Sequence, residues 1–210
     1  MNGRVLAAVA IVGLAAGAAF YLYQQPSPTA APAPTPAGPP SPIAKLVATV
    51  PSFSLADRTG TMRSLADWQG KALIVNFWAT WCAPCRKEIP LLQKLQREHG
   101  DEGFQVVGIA VDFRDKVLAY ADEMKIDYPL LIGEQEGLDA ATAFGVEAVG
   151  FPFTIFTDTR GRIVVAHMGE LTQPQADLIL GSVREVDAGR QTLEQARVAI
   201  ETGLAALPPN

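Results

Sequence analysis

The chain has 210 residues, 49% of them apolar, enough for one domain of ordinary size with a sizeable core plus attachments. Its 17 basic and 22 acidic side chains give a formal charge of −5, with the bases scattered singly among the acids. A nucleic-acid binder carries a basic face, so that class is excluded.

The first element is apolar. "MNGR" (1–4) is followed by the uncharged run "VLAAVAIVGLAAGAAFYLY" (5–23). At about 1.5 Å per residue, a helix of that length just crosses a hydrocarbon layer of ~30 Å. Tyr21 and Tyr23 stand where an interfacial anchor belongs, and Arg4 with the terminal amine keeps 1–4 cytoplasmic. The expectation is a single-pass anchor in the bacterial cell (inner) membrane, with everything after it facing the periplasm or extracytoplasmic side. A cleaved signal sequence competes, because "AAGAA" supplies the small residues of a cleavage site. A lipoprotein would need a cysteine just past the run, and there is none. The segment "QQPSPTAAPAPTPAGPPSP" (24–42) has too little to bury and reads as an extended polyproline II spacer.

A folded domain is expected over 43–188, with a helical extension at 189–210. "SFSLAD" and "TMRSLADW" flank "RTG" and read as a short hairpin or an extended pair around a turn at Gly60. "KALIVNFWA" (71–79) is the near-continuous apolar run of a strand buried on both faces. A helix is expected from about Ala83, with Ile89, Leu92 and Leu95 at helical spacing and Gly100 to end it. "FQVVGIAVD" (104–112) reads as a second buried strand, "DKVLAYADEMK" as a helix, "YPLLIG" as a short strand or an extended connection and "GLDAATAFGV" as a short helix. "FTIFTDTRGRIVVAHMG" (153–169) alternates and turns at Gly161, the pattern of an antiparallel hairpin. "QPQADLILGSVREVDAG" and "TLEQARVAIETGLAAL" give two final helices separated by Gly189. Together these elements imply an α/β fold, a mixed sheet covered by helices on both faces.

The only two cysteines lie in "NFWATWCAPCRKEIP" (76–90). Zinc would need four ligands, and only the isolated His99 and His167 remain to supply them. A c-type haem site needs histidine after the second cysteine, where Arg86 stands. A redox pair fits the local physics better. Cys82 falls at the expected helix N-terminus, where free N–H groups and the macrodipole stabilise a thiolate. Cys85, one turn in, is placed to attack a mixed disulfide formed by Cys82. Pro84 suits a first helical turn, because its missing donor costs nothing there.

With its strand, W-C-x-P-C and helical Pro90, "FWATWCAPCRKEIP" resembles the active-site motif of the thioredoxin superfamily. It is most similar to the membrane-anchored TlpA, ResA and DsbE/CcmG type, with a redoxin (AhpC/TSA-like) domain over about 47–187. The resemblance implies a thioredoxin-like mixed sheet with an N-terminal hairpin and an extra C-terminal helix. It implies that the Phe151–Pro152 bond in "VGFPFTIF" is cis, beside the cysteines, and that Trp81, Ala83, Pro84, Phe151 and Pro152 bind substrate. Its catalytic set is Cys82, Cys85 and Glu88, the last matching an acid of the ResA-like branch. Asn76 stands where thioredoxins keep a buried aspartate, and it cannot titrate in that range. Phe151 is larger than the residue usually found before the cis-proline.

The implied activity is protein-disulfide reduction, with no cofactor or metal beyond the Cys82–Cys85 disulfide. The implied substrates are oxidised apocytochrome c or copper-site proteins, and a membrane thiol carrier of the DsbD or CcdA kind would restore the reduced form. A peroxiredoxin-like peroxide reductase competes, although Thr80 fits that pattern poorly. So does a Cu(I) chaperone using both thiolates, although Met62, Met124 and Met168 are scattered.

Overall fold

The computed structural model describes residues 46–146 and 150–208. The expected cytoplasmic N-terminus, anchor and spacer (1–42) lie outside them. Among the described residues no helix is long and apolar enough to cross a membrane.

Seven strands form one sheet: β1 (Leu55–Asp57), β2 (Met62–Arg63), β3 (Ala72–Trp78), β4 (Phe104–Ala110), β5 (Leu130–Ile132), β6 (Phe153–Thr157) and β7 (Ile163–Met168). Among the described residues there are five α-helices: α1 (Ala83–His99), α2 (Arg114–Glu123), α3 (Gln135–Ala143), α4 (Gln173–Asp187) and α5 (Leu193–Ala206). The strand order is β2-β1-β5-β4-β3-β6-β7. β4 runs parallel to β3 and β5, while the outer pairings are antiparallel, so the sheet is mixed.

All seven residues of β3 and of β4 are buried, as continuous apolar runs require when both sheet faces are covered. Alternation splits β3 between two cores. Ala72, Ile74 and Trp78 join the core under α1, α2, α4 and α5, with Leu92, Val117, Ile179 and Ile200. Leu73, Val75 and Phe77 join the other, with Ala140 and Ala141 of α3. The thioredoxin-like architecture read from the resemblance is therefore present.

Two local details differ from expectation. In "TMRSLADW" only Met62–Arg63 is strand, and Leu65–Trp68 forms a 3-10 turn that buries Leu65. Gly100 follows α1 but keeps right-handed backbone, and the left-handed reversal falls at Gly103 (φ 95°). The segment expected as an extension packs onto the domain through α5. There Ala196 and Ile200 are buried, and the Arg197 guanidinium donates to the carbonyls of Ile163 and Val164 on β7.

Candidate active site

The site forms where β3 ends and α1 begins. Thr80, in the connection, donates its backbone N–H to Asp112 Oδ2 at 3.2 Å, and its hydroxyl bonds the same oxygen. Asp112, buried just past β4, also accepts the Phe113 N–H on Oδ1 at 2.7 Å. A buried carboxylate thus fastens the cysteine loop to the neighbouring strand end, at a position the sequence did not reveal.

Cys82 is the N-cap of α1, and its Sγ accepts the Cys85 N–H at 3.2 Å. The two cysteines are joined as a disulfide with Cα atoms 5.3 Å apart. Cys82 keeps 5% of its surface exposed and Cys85 none, so only the leading sulfur offers an approach. Ala83 is exposed, Pro84 half-buried in the first turn, and no acid lies in that turn. Arg86 and Lys87 are exposed beside it. Pro90 lies inside α1, where it withholds one helical donor.

The Phe151–Pro152 bond is cis, as the resemblance implies. The Phe151 ring lies 6.0 Å from that of Trp81 and stacks on Phe153 at 6.3 Å. Trp81 is 67% exposed, which puts a large indole on the rim beside Cys82. Trp78 is wholly buried in the core. Behind the cis-proline, the Gly169 N–H donates to the Pro152 carbonyl at 2.9 Å.

Glu88 is buried, with 1% of its surface exposed, in the apolar stripe that runs through Cys85, Ile89, Leu92 and Leu95. Its Oε1 accepts from Asn76 Nδ2 at 2.7 Å and its Oε2 from the Leu171 N–H at 2.8 Å. Burial pushes its carboxyl up to about 7, with the two hydrogen bonds opposing and the nearby Glu170 carboxylate adding to the rise. The sequence marked Glu88 for its chemistry but missed Asn76, Thr154 and Leu171 as its surroundings. A signal for its burial existed: an acid at the i+3 position from Cys85 within an i, i+3, i+4, i+7 apolar stripe faces the core.

A stability prediction follows. A carboxyl whose folded-state titration lies above its unfolded value makes the fold bind more protons between those values. Stability is then full below about pH 4.5 and falls as pH rises through about 7. The expected loss is on the order of 3 kcal/mol. Urea midpoints of the oxidised protein at pH 5 and pH 8 measure it, and Glu88→Gln should flatten the difference.

His167, the cross-strand partner of Thr154, is held below its ordinary range by burial. A cavity of about 330 Å³, lined by Thr49, Trp68, Lys71 and Arg160 among others, opens at the start of β3, away from the cysteines.

The AhpC/TSA family model matches residues 47–166. "Thioredoxin-like protein YneN" of Bacillus subtilis is 35% identical over 133 residues, covering 60% of this chain and 74% of that protein. "Thiol-disulfide oxidoreductase ResA" of Halalkalibacterium halodurans is 29% identical over 127 residues, covering 60% and 70%. Among solved structures, a thioredoxin-family thiol:disulfide interchange protein from Chlorobium tepidum TLS superposes with a TM-score of 0.53 at 29% identity, covering 75% of this chain and 96% of that one.

Proposed function

Because the chain belongs to the AhpC/TSA family and is, like its relatives, a thiol–disulfide oxidoreductase, we propose that it reduces protein disulfides outside the cytoplasm. The observation that carries this reading is the N-cap position of Cys82, with the buried Glu88 one turn beyond Cys85.

In the reduced enzyme, backbone N–H groups at the start of α1 stabilise the Cys82 thiolate. That thiolate attacks one sulfur of a substrate disulfide. A Cys82–substrate bond forms, the substrate bond breaks, and the second substrate sulfur leaves as a thiolate. Cys85 passes its proton to the Glu88 carboxylate and attacks Cys82 Sγ. The Cys82–Cys85 bond forms, and the first substrate sulfur leaves as a thiolate. The substrate has gained two electrons and the cysteine pair has lost two; no metal or further cofactor enters the scheme.

Trp81, Ala83 and Pro84 on one side, with Phe151 and Pro152 on the other, bind the extended segment that carries the disulfide, by strand addition along the backbone before Pro152. Oxidised apocytochrome c and copper-site proteins are the proposed substrates. A membrane dithiol carrier of the DsbD or CcdA kind restores the reduced pair, and segment 5–23 holds the domain at the same inner membrane. The peroxide-reducing alternative asks for a threonine hydroxyl serving the cysteine. Thr80 bonds its hydroxyl to Asp112, which favours disulfide exchange.

The test is the equilibrium of the pair with defined thiol–disulfide buffers, together with insulin reduction. A potential near that of thioredoxin, about −270 mV, and slow insulin reduction are expected. A value near about −120 mV, that of a disulfide-forming catalyst, would overturn the reductant assignment.

A further inference from the structure

Asn76 lies in the middle of β3 with its side chain wholly out of solvent. Its Nδ2 donates to Glu88 Oε1 at 2.7 Å and to Thr154 Oγ1 at 3.0 Å. Its Oδ1, equally buried, meets no donor among the described residues. The amide head is close to symmetric in shape, so a half-turn exchanges nitrogen and oxygen in place. After that turn Oδ1 would face Glu88 Oε1 and Thr154 Oγ1. A hydroxyl donates as readily as it accepts, and a protonated carboxyl has a proton to give. The same pocket therefore satisfies Glu88 in either protonation state.

Other side chains fail there. Aspartate would set a second carboxylate against Glu88, and leucine would leave the acid without a partner in β3. The β3–β4 wall on this face holds further polar groups. Among the described residues, Trp78 Nε1, a donor, and the Tyr128 hydroxyl, able to do either, are also buried and meet no partner. Both residues crowd Gly108, the β4 neighbour of Asn76, where an added Cβ would stand 3.2 Å from Trp78 Nε1 and 3.1 Å from the Tyr128 ring.

We propose that Asn76 is a positioning residue for proton transfer: it presents its NH2 to ionised Glu88 and turns its carbonyl to the protonated acid. The inference rests on the reading of Glu88 as acceptor of the Cys85 proton. Its consequence reaches the substrate groove. Glu88 Oε2 keeps the Leu171 N–H in both states, two residues after the Gly169 that bonds Pro152. Proton traffic at Oε1 thus leaves the cis-proline loop held. The charged and titratable groups around Glu88 are Cys85 and Lys87 on its own helix, Glu170 in the β7–α4 loop, Tyr128 before β5, and His167 on β7. Lys87 Nζ lies 3.8 Å from the Glu170 carboxylate, and the His167 ring lies against the Glu170 carbonyl.

Infrared difference spectra against pH, taken on the oxidised full chain, test the turn. The carbonyl band of protonated Glu88 is identified by its loss in Glu88→Gln. Asn76→Leu should move that band to the higher frequency of an acid that donates to nothing, and raise its titration midpoint by about one unit. An unmoved band overturns the proposal. A second measurement needs no variant. The side-chain NH2 signals of Asn76, followed by nitrogen-15 NMR, should titrate with the Glu88 midpoint, and signals constant through that midpoint overturn the turning amide. The two failures are distinguishable. A turnover profile unaltered by Glu88→Gln defeats the assignment of Glu88, whereas a fixed band or fixed NH2 signals defeat the turn alone.

Discussion

Replacing Cys85 with Ser is expected to stop turnover after the first chemical step and leave substrate covalently joined to Cys82. Cys82 keeps its N-cap position and the N–H groups that favour its thiolate, so attack on a substrate disulfide proceeds. The serine hydroxyl cannot displace the mixed disulfide, and release must wait for an outside thiol. Turnover of a model disulfide should fall about a thousandfold or more, with the adduct visible by mass. Cys82→Ser should lose turnover to a similar extent and form no adduct, because the remaining Cys85 sulfur is wholly buried. Normal turnover in Cys85→Ser, or an adduct formed through Cys85 in Cys82→Ser, would reverse the assigned order of attack. Expressed as the full chain, Cys85→Ser also retains the physiological substrate for identification.

How far the sequence reached depends on how local each feature is. The strand over "KALIVNFWA", the helix opening at Ala83 and the hairpin turning at Gly161 are written in runs, spacings and a glycine within a few residues of one another. The cysteine pair and its helix start were legible for the same reason. What escaped was set by contacts between distant segments. The Asn76–Thr154 bond spans 78 positions and the Glu88–Leu171 bond 83, and each needs the register of a sheet whose order the chain does not spell out. Asn76 looked like a lost titrating group because its type was legible and its neighbour was not. The Thr80–Asp112 bond escaped in the same way, since nothing in either local pattern announces the other.

Glu88→Gln is expected to move two measurements in opposite directions, which separates a proton acceptor from a structural residue. The carboxylate titrates at about 7, close to working pH, where a general base combines availability with proton affinity. It lies one turn after Cys85 on the same buried helix face. Glutamine cannot accept the Cys85 proton, so turnover at pH 7 should fall about a hundredfold. The deficit should shrink at alkaline pH, where hydroxide can take the Cys85 proton in place of the missing carboxylate. Alkylation of reduced Cys82 should respond the other way. Removing a negative charge near the thiols favours the thiolate, so its titration should move to lower pH and its labelling near neutrality should quicken. Wild-type turnover should rise through about pH 7 and level off, whereas the variant should still be climbing there. If both rates fell together at every pH, Glu88 would be a packing residue of α1, and the proton from Cys85 would have to leave by another route.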